Sequence, residues 1–268
     1  MKVFAKKYIS MFLTQVAHKP GSFALEWTGK LGRAGTFLAT MSATVLTPPW
    51  RFRRIVYWIH FIGFHSLGVV FLTGLFTGMV LSLQSYSALS RFGSEAFLGP
   101  LVGLSMVREM GPVLSALIVT GRAGSAIAAE IAVMRNSEQL DAMELMAVNP
   151  FRILIAPILI ATLIALPLLG AFFNVVGIGG GYLVGVELLG VSGGTYFAEM
   201  AARMQMSDIL GGLYKSVTFG ALLAWISAYM GYYTELGAIG VSRATTKAVV
   251  VTSVVILMWD YVMTAIVF

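Results

Sequence analysis

Five long apolar stretches, separated by polar connections, dominate the hydrophobic pattern of the chain. They run from about Ile55 to Ser90, Phe97 to Thr120, Ile153 to Val186, Ile209 to Tyr233 and Ala248 to Phe268. A transmembrane helix needs about 20 mostly apolar residues. The pattern therefore predicts an all-α polytopic membrane protein with about five transmembrane helices.

Two of these stretches are longer than one membrane crossing requires. The first, as a single helix, would span about 54 Å, whereas the hydrocarbon core is about 30 Å thick. Its later half contains Gly74, Gly78 and the polar segment 82–85, and we predict a break or a strong tilt there. The third stretch has glycines every four residues over 177–185, a small-residue face that allows close packing against another helix.

The residues before the first apolar stretch are basic and partly apolar. Nine of the 18 Lys and Arg residues lie within 1–54, where Glu26 is the only acidic residue. This pattern predicts an N-terminal interfacial helix, with Pro48 and Pro49 ending it, and a solvated basic tail is the alternative. No signal peptide is predicted, because no apolar core of the right length follows Lys7.

Composition and charge support a membrane location. The chain is 58% hydrophobic and only 11% charged, against about 25% charged residues in soluble domains. Because positive residues stay cytoplasmic, we expect the N-terminus, 121–152 and 234–247 in the cytoplasm and the C-terminus outside. The region 187–208 is predicted to be a mixed loop or a short amphipathic helix. The net charge of +6 thus indicates lipid contact rather than nucleic-acid binding.

The sequence does not contain the usual motifs of an enzyme. Gly29-Lys30 is followed by Leu31, so the phosphate-binding loop of an ATPase is missing. There is no cysteine, and no Ser-His-Asp or metalloprotease motif is visible. His60 and His65 are five residues apart and would not share a helix face, so we predict no metal site.

Four charged residues lie inside apolar stretches: Arg108, Glu109, Lys215 and Asp260. One charge at a helix centre costs about 2.5–3.5 kcal/mol, and these four sum to zero, so we predict that they pair inside the bundle. Two interpretations stay open. The charges form structural ion pairs only, or Arg108 lies at the mouth of a cavity and binds a lipid phosphate.

The segment 134–147 has the pattern of an amphipathic helix that ends before Asn149-Pro150. Its polar side and its apolar side fit a solvated cytoplasmic helix and a partner-docking helix equally well. The polar side consists of Arg135, Glu138, Asp141 and Glu144, and the apolar side of Leu140, Met143 and Ala147.

Several separated motifs resemble one known family. The string GRAGSAIAAEIAVMRNSEQLDAMELMAVNP, preceded by REMGPVLSALIVT, is similar to the signature region of the MlaE permease family. GMVLSLQSY (78–86) and GAIGVSRATTKAVV (237–250) match the same family in the same order. These are transmembrane subunits of ABC-type phospholipid transporters of Gram-negative inner membranes. The resemblance covers about 55–268, which would be the permease domain.

The resemblance implies a function and a set of partners. The chain would be a dimeric permease that moves phospholipids between the inner and outer membranes and maintains outer-membrane lipid asymmetry. Its partners would be two ATPase subunits, which bind ATP and Mg²⁺, a STAS-domain protein and a periplasmic ring of MCE-domain subunits. The chain itself would hold no cofactor. The alternatives are an MCE-associated permease for sterols or other lipids, and an ion-coupled secondary transporter, which inverted repeats would favour.

The resemblance also implies two groups of site residues. The helix at about 134–147 would couple to the ATPase. The residues assigned to coupling are Arg135, Glu138, Gln139, Asp141, Met143 and Glu144. The residues assigned to the lipid cavity are Leu81, Ala88, Leu89, Phe92, Arg108 and Phe219.

Overall fold

The computed structural model describes residues 28–47 and 51–267. Within these residues all regular secondary structure is helical, which confirms the predicted all-α class. The expectations for residues 1–27, and for Pro48 and Pro49 as the end of the interfacial helix, lie outside the described residues.

Eight helical elements follow one another in the described part of the chain. They are α1 (28–46), α2 (Phe52–Phe92), α3 (Glu95–Asn136), α4 (Gln139–Leu145), α5 (Phe151–Leu188), α6 (Gly193–Arg203), α7 (Met206–Tyr232) and α8 (Ala238–Val267). Five of them, α2, α3, α5, α7 and α8, are long and apolar enough to cross a membrane. The predicted number of transmembrane helices is thereby confirmed.

Helix α2 is irregular at a different place from the one predicted. A 3₁₀ turn at Phe64–Ser66 interrupts it, whereas Leu67–Leu89 is one regular α-helix. The helix therefore does not break in its later half, and the alternative, a strong tilt, stays a prediction. Polar residues there do not open the helix, because hydroxyl groups such as that of Thr77 donate to carbonyls of the preceding turn, here to Thr73 at 2.6 Å.

The glycines of α2 provide close packing against α5 instead of a bend. A Cβ on Gly78 would lie 1.8 Å from the carbonyl oxygen of Gly177, and one on Gly180 would lie 2.3 Å from that of Leu75. Backbones can approach this closely only where both helices lack side chains. The predicted small-residue face of the third apolar stretch thus packs against both α2 and α3, since Cβ atoms on Gly177 and Gly181 would also meet Met106 and Val102, and α5 forms the centre of the bundle.

Two helices extend well beyond the apolar stretches that predicted them. Helix α3 continues past Thr120 to Asn136, and α8 begins at Ala238 rather than at Ala248. The predicted connections 121–152 and 234–247 are therefore largely helical. The extension of α3 is stabilised by packing against α7: Ile131 is buried, and a Cβ on Gly231 would lie 2.9 Å from its Cβ.

The ends of the helices define two ends of the bundle. At the end that we call the α4 end, the backbone N–H of Gly237 donates to Asn136 Oδ1 at 2.7 Å, and α1 packs there through Phe37 against Phe151. The opposite end, the α6 end, carries the predicted amphipathic helix within 187–208. Tyr196 anchors α6 by donating to the carbonyl of Ile178 at 3.4 Å, and burial raises the pKa of its phenol to about 12.

Candidate functional site

The intramembrane charges cluster around Lys215 of α7, whose side chain is 0% exposed. Its Nζ donates to Glu109 Oε2 at 2.7 Å and lies 3.0 Å from Asp260 Oδ1. Thr264 Oγ1 accepts from the same Nζ at 2.7 Å and lies 3.2 Å from Glu109 Oε1. The cluster therefore connects α3, α7 and α8 inside the bundle, where an unpaired ammonium group would be costly.

Arg108 does not join this cluster, so the prediction that the four charges pair among themselves is wrong for this residue. Its Nη2 and Nε lie 2.7 Å and 2.9 Å from Asp208 Oδ1. Asp208 is 3% exposed in its side chain, and its Oδ2 accepts the backbone N–H of Gln205 at 2.8 Å. Asp208 thus caps the start of α7 and, at the same time, forms an ion pair with Arg108 of α3.

Sequence reasoning missed Asp208 because the residue was placed in the connection 187–208. A signal was present, since Gln205 and Asp208 have the spacing of a capping box, which marks the start of a helix. With Asp208 included, the five charges are two basic and three acidic residues. The net charge of the intramembrane residues that the fold brings together is therefore not zero, as predicted for four residues, but −1 for five.

A π-helical turn, Met106–Met110, carries Arg108 and Glu109. Such turns insert one extra residue into a helix and often occur at functional sites. Gly111 follows the turn at a close contact, because a Cβ there would lie 1.8 Å from Asn174 Oδ1 of α5. The turn therefore sits where α3 is pressed against α5, and its two charges point to different partners.

The residues assigned to the lipid cavity fall in three environments. Ala88 and Phe92, near the α6 end of α2, are exposed, and Phe92 is 82% exposed. Leu81 and Leu89 are partly buried against the core. The side chain of Arg108 is 40% exposed, whereas Phe219 is 0% exposed and belongs to the core of the single chain. Their role in lipid contact stays a prediction.

The predicted coupling helix 134–147 is not one helix. Helix α3 ends at Asn136, Glu138 adopts a left-handed conformation with φ 57°, and the separate helix α4 follows. Ala147 is also left-handed, with φ 58°. Side chains with a Cβ rarely adopt this conformation, so α4 is enclosed by two tight turns that the amphipathic pattern alone could not indicate.

Helix α4 is held to the bundle by polar contacts from both sides. Arg135 pairs with Asp141 at 2.5 Å, and the Tyr232 hydroxyl donates to Glu144 at 3.0 Å. On its apolar side Leu140 is buried and Met143 is packed against the core, whereas Gln139 is exposed. We call α4 and the two turns beside it, residues 137–147, the α4 tip. All six residues assigned to coupling lie in this tip or, as Arg135 does, pair with it.

The tip also presents apolar side chains that the sequence analysis did not single out. Leu145 is 89% exposed and Met146 is 67% exposed, side by side at the end of α4. They follow the last turn of a polar helix at the end of the bundle. They form a small exposed apolar pair next to the polar side of α4.

Arg122 is a second residue that sequence reasoning missed. It lies in the π-helical turn Thr120–Gly124 and donates to the carbonyl oxygens of Phe61 and Ile62 and, at 2.9 Å, to Ser66 Oγ. These groups belong to the irregular turn of α2. The available signal was that Arg122 is a charged residue within a run of small ones. Its hydrogen bonds connect the irregular turn of α3 to the irregular turn of α2.

The same irregular turn of α2 brings two histidines together. The rings of His60 and His65 are 5.1 Å apart and meet edge to face, so the prediction that they lie on different faces is wrong. The 3₁₀ turn changes the helical phase between them. No group of three or more metal-ligating side chains occurs among residues 28–47 and 51–267.

These features define a class of protein. Five membrane-length helices, an ion network across three of them and polar ends on both sides are those of a polytopic membrane protein. Residues 55–266 match the family model described as Permease MlaE. The chain belongs to the MlaE permease family.

Individual relatives agree with the family match. The chain is 43% identical over 251 residues to the intermembrane phospholipid transport system permease protein MlaE of Haemophilus influenzae, covering 92% of this chain and 95% of that one. A probable ABC transporter permease protein of Rickettsia prowazekii is 41% identical over 96% of this chain and 99% of its own length. The chloroplastic protein trigalactosyldiacylglycerol 1 of Arabidopsis thaliana is 36% identical over 75% of this chain and 57% of its own.

Proposed function

We propose that this chain is the membrane-spanning subunit of an ATP-driven transporter that moves phospholipids between the inner and outer membranes of a bacterium and so maintains outer-membrane lipid asymmetry. The observation that carries the proposal is the 43% identity to the Haemophilus phospholipid permease over nearly the whole chain. The chain is not itself an enzyme in this proposal. An ATPase subunit binds ATP and Mg²⁺, and a second copy of the chain, an MCE-domain ring and a STAS-domain protein complete the complex.

The charge distribution supports an orientation with the α4 end in the cytoplasm. Basic residues of the described chain concentrate there, with Arg51, Arg53, Arg54, Arg152, Arg243 and Lys247 as examples. At the α6 end, Glu95, Glu187 and Glu199 stand against Arg91 and Arg203. Because positive residues remain on the cytoplasmic side, the N-terminus is cytoplasmic in this proposal and the protein lies in the inner membrane.

The α4 tip is the proposed ATPase contact. Leu145 and Met146 offer apolar side chains to a partner, while Arg135–Asp141 and Tyr232–Glu144 hold the tip rigidly on α3 and α7. A rigid attachment lets movement of the partner pass directly into these two helices. Both helices reach the ion cluster, since α3 carries Glu109 and α7 carries Lys215.

Lipid would contact the opposite part of the molecule. The outer half of α2 and the exposed fraction of Arg108 lie toward the α6 end, which faces away from the cytoplasm in the proposed orientation. Arg108 is held by Asp208 but is 40% exposed, so a lipid phosphate can reach its guanidinium group. Arginine suits this role because its planar group binds phosphate through two hydrogen bonds.

The experiment combines partner binding with lipid movement. The complex is reconstituted in vesicles with fluorescent phospholipid, and the Leu145→Asp variant is compared with Leu236→Asp, which changes another exposed leucine at the same end. We expect Leu145→Asp to lose the co-purifying ATPase and all ATP-dependent lipid transfer. The introduced carboxylate would be buried in the apolar contact with the ATPase, where it has no partner. Leu236→Asp should retain both.

Two outcomes would contradict this proposal at different levels. Normal ATPase association and transfer by the Leu145→Asp variant would show that α4 is not the contact. An intact wild-type complex that hydrolyses ATP without moving phospholipid, or moves a solute in response to an ion gradient alone, would remove the lipid-transport function itself.

A further inference from the structure

A groove of about 690 Å³ lies between α1, α7 and α8 at the α4 end. Its wall on α8 is a single helix face from Gly240 to Val255, about 22 Å long at 1.5 Å per residue. The volume falls within the roughly 300–1,000 Å³ typical of ligand sites. The groove is separate from the ion cluster and from the proposed lipid path, which lie toward the α6 end.

The groove changes from charged to apolar along its length. Basic side chains line the part nearest the α4 end, namely Lys30, Arg33, Arg243 and Lys247. Further along α8, toward the middle of the bundle, the wall consists of Val251 and Val255. A phospholipid has the same order of charged and apolar parts along its length.

The basic part of the groove carries an excess of positive charge. Arg243 is paired with Glu235 at 3.1 Å, and Glu235 is the only acidic residue among the described residues that line the groove. Lys30, Arg33 and Lys247 form no ion pair with the residues that the structure describes. The groove therefore offers three cations, two on α1 and one on α8, to an anionic ligand.

We propose that the groove binds one anionic phospholipid of the leaflet at the α4 end. Its phosphate lies between Lys30, Arg33 and Lys247, and an acyl chain lies along Val251 and Val255. Such a lipid connects α1 to α8 and so fastens the N-terminal helix to the bundle. It is a stably bound lipid on the side opposite to the proposed transport path, and its binding does not depend on transport.

Charge complementarity favours this occupant over two others. An apolar helix of a second copy would cover the valine part of the groove but would leave three cations without counter-charges. A water-soluble anion would match the cations but would leave the apolar part empty. Tyr229 and Tyr233 also line the groove, and aromatic residues with a polar group are enriched at the level of lipid headgroups.

The test measures lipid binding rather than transport. The full-length chain is purified in detergent, and native mass spectrometry determines the binding of dioleoyl phosphatidylglycerol and dioleoyl phosphatidylcholine at defined concentrations. We expect tight binding of one phosphatidylglycerol in preference to phosphatidylcholine. The variant Lys30→Gln/Arg33→Gln/Lys247→Gln should bind phosphatidylglycerol at least about tenfold more weakly, since each cation near anionic lipid contributes about fivefold.

A matched variant separates the groove from the general positive surface. Arg51→Gln/Arg53→Gln/Arg152→Gln removes three exposed cations at the same end, none of which lines the groove. It should bind phosphatidylglycerol within about twofold of the wild type. An equal loss in both triple variants, unchanged binding in the groove variant, or no preference over phosphatidylcholine would overturn the proposal.

The apolar half of the groove needs its own test, because charge variants do not probe it. Val251→Trp fills that half without changing any charge and should weaken phosphatidylglycerol binding by a similar factor. A photo-crosslinking amino acid at position 255 should recover phospholipid from the membrane-embedded complex. Recovery of a second copy of the chain, or of residues 1–27, in place of lipid would show a different occupant and would overturn the proposal.

Discussion

Replacing Lys215 with methionine should destabilise the protein more than any change on its surface. The substitution keeps the length and much of the volume of the side chain but removes the ammonium group. Glu109 and Asp260, now 2.7 Å and 3.0 Å from that group, would then face each other without a cation. The Thr264 hydroxyl would also lose the donor that lies 2.7 Å away.

The expected loss can be worked from the burial of the pair. Removing one partner of a buried ion pair costs about 3–5 kcal/mol, because an uncompensated charge remains in a medium of low polarity. The side chain of Lys215 is 0% exposed, but Glu109 and Asp260, which keep their charges, are 35% and 19% exposed, so we expect the lower end of this range, about 3 kcal/mol. At about 2–4 °C per kcal/mol, the unfolding temperature should fall by roughly 6–12 °C.

The assay is thermal unfolding of the detergent-purified chain, followed by intrinsic tryptophan fluorescence. Lys247→Met is the matched control, since Lys247 is exposed in α8 and forms no ion pair with the described residues; without anionic lipid it should shift the midpoint by at most about 2 °C. Glu109→Gln/Lys215→Met/Asp260→Asn removes all three charges and should recover most of the loss, because a neutral buried cluster has no uncompensated ion. A Lys215→Met midpoint within 2 °C of the wild type, or a triple variant no more stable than the single one, would refute the pairing.

Three further substitutions test other parts of the structure. Gly78→Ala should lower stability by about 1–3 kcal/mol in the same unfolding assay, because its Cβ would meet the α5 backbone. Gly68→Ala is the control, since open space surrounds Gly68, and it should not lower stability. Equal effects of the two substitutions would contradict the close packing. Arg108→Ala should leave the complex assembled and its ATPase active while lipid binding falls, and either normal transport or failed assembly would exclude the headgroup role. Arg122→Lys should lower the unfolding temperature although charge is kept, because one ammonium group cannot reproduce the guanidinium contacts with both carbonyls and Ser66; an unchanged midpoint would show that charge alone suffices.

The sequence predicted the existence of the membrane helices better than their ends. Apolar stretches indicate where lipid can surround a helix, and each of the five predicted stretches lies in one of the five membrane-length helices. Past Thr120 and before Ala248 the helices continue through polar residues, because neighbouring helices rather than lipid stabilise those turns. Ile131, for example, is buried against α7 within a segment that had been assigned to a connection.

Pairing of distant residues was the part that local patterns could not supply. Lys215 was expected to have acidic partners because an isolated buried charge is costly, and it pairs with Glu109 and Asp260. The partner of Arg108 is 100 positions away, at the start of a helix whose beginning was not recognised. Local patterns also do not indicate the turn before α4, where Glu138 adopts a left-handed conformation and α4 packs back on the bundle through Leu140.

The close contact between α2 and α5 determines which parts of this chain can move. Where Gly78 meets Gly177 and Gly180 meets Leu75, the two backbones touch without side chains between them. Sliding or rotation of one helix past the other would drive backbone atoms into each other, so α2 and α5 must travel as one rigid body. Among the described residues, α8 buries few of its side chains and is held to α3 and α7 through the polar side chains of the Lys215 cluster rather than through touching backbones. In any cycle of opening and closing, spectroscopic labels placed on α2 and α5 should therefore keep a constant distance from each other, whereas labels on helices without such a contact are free to report a change.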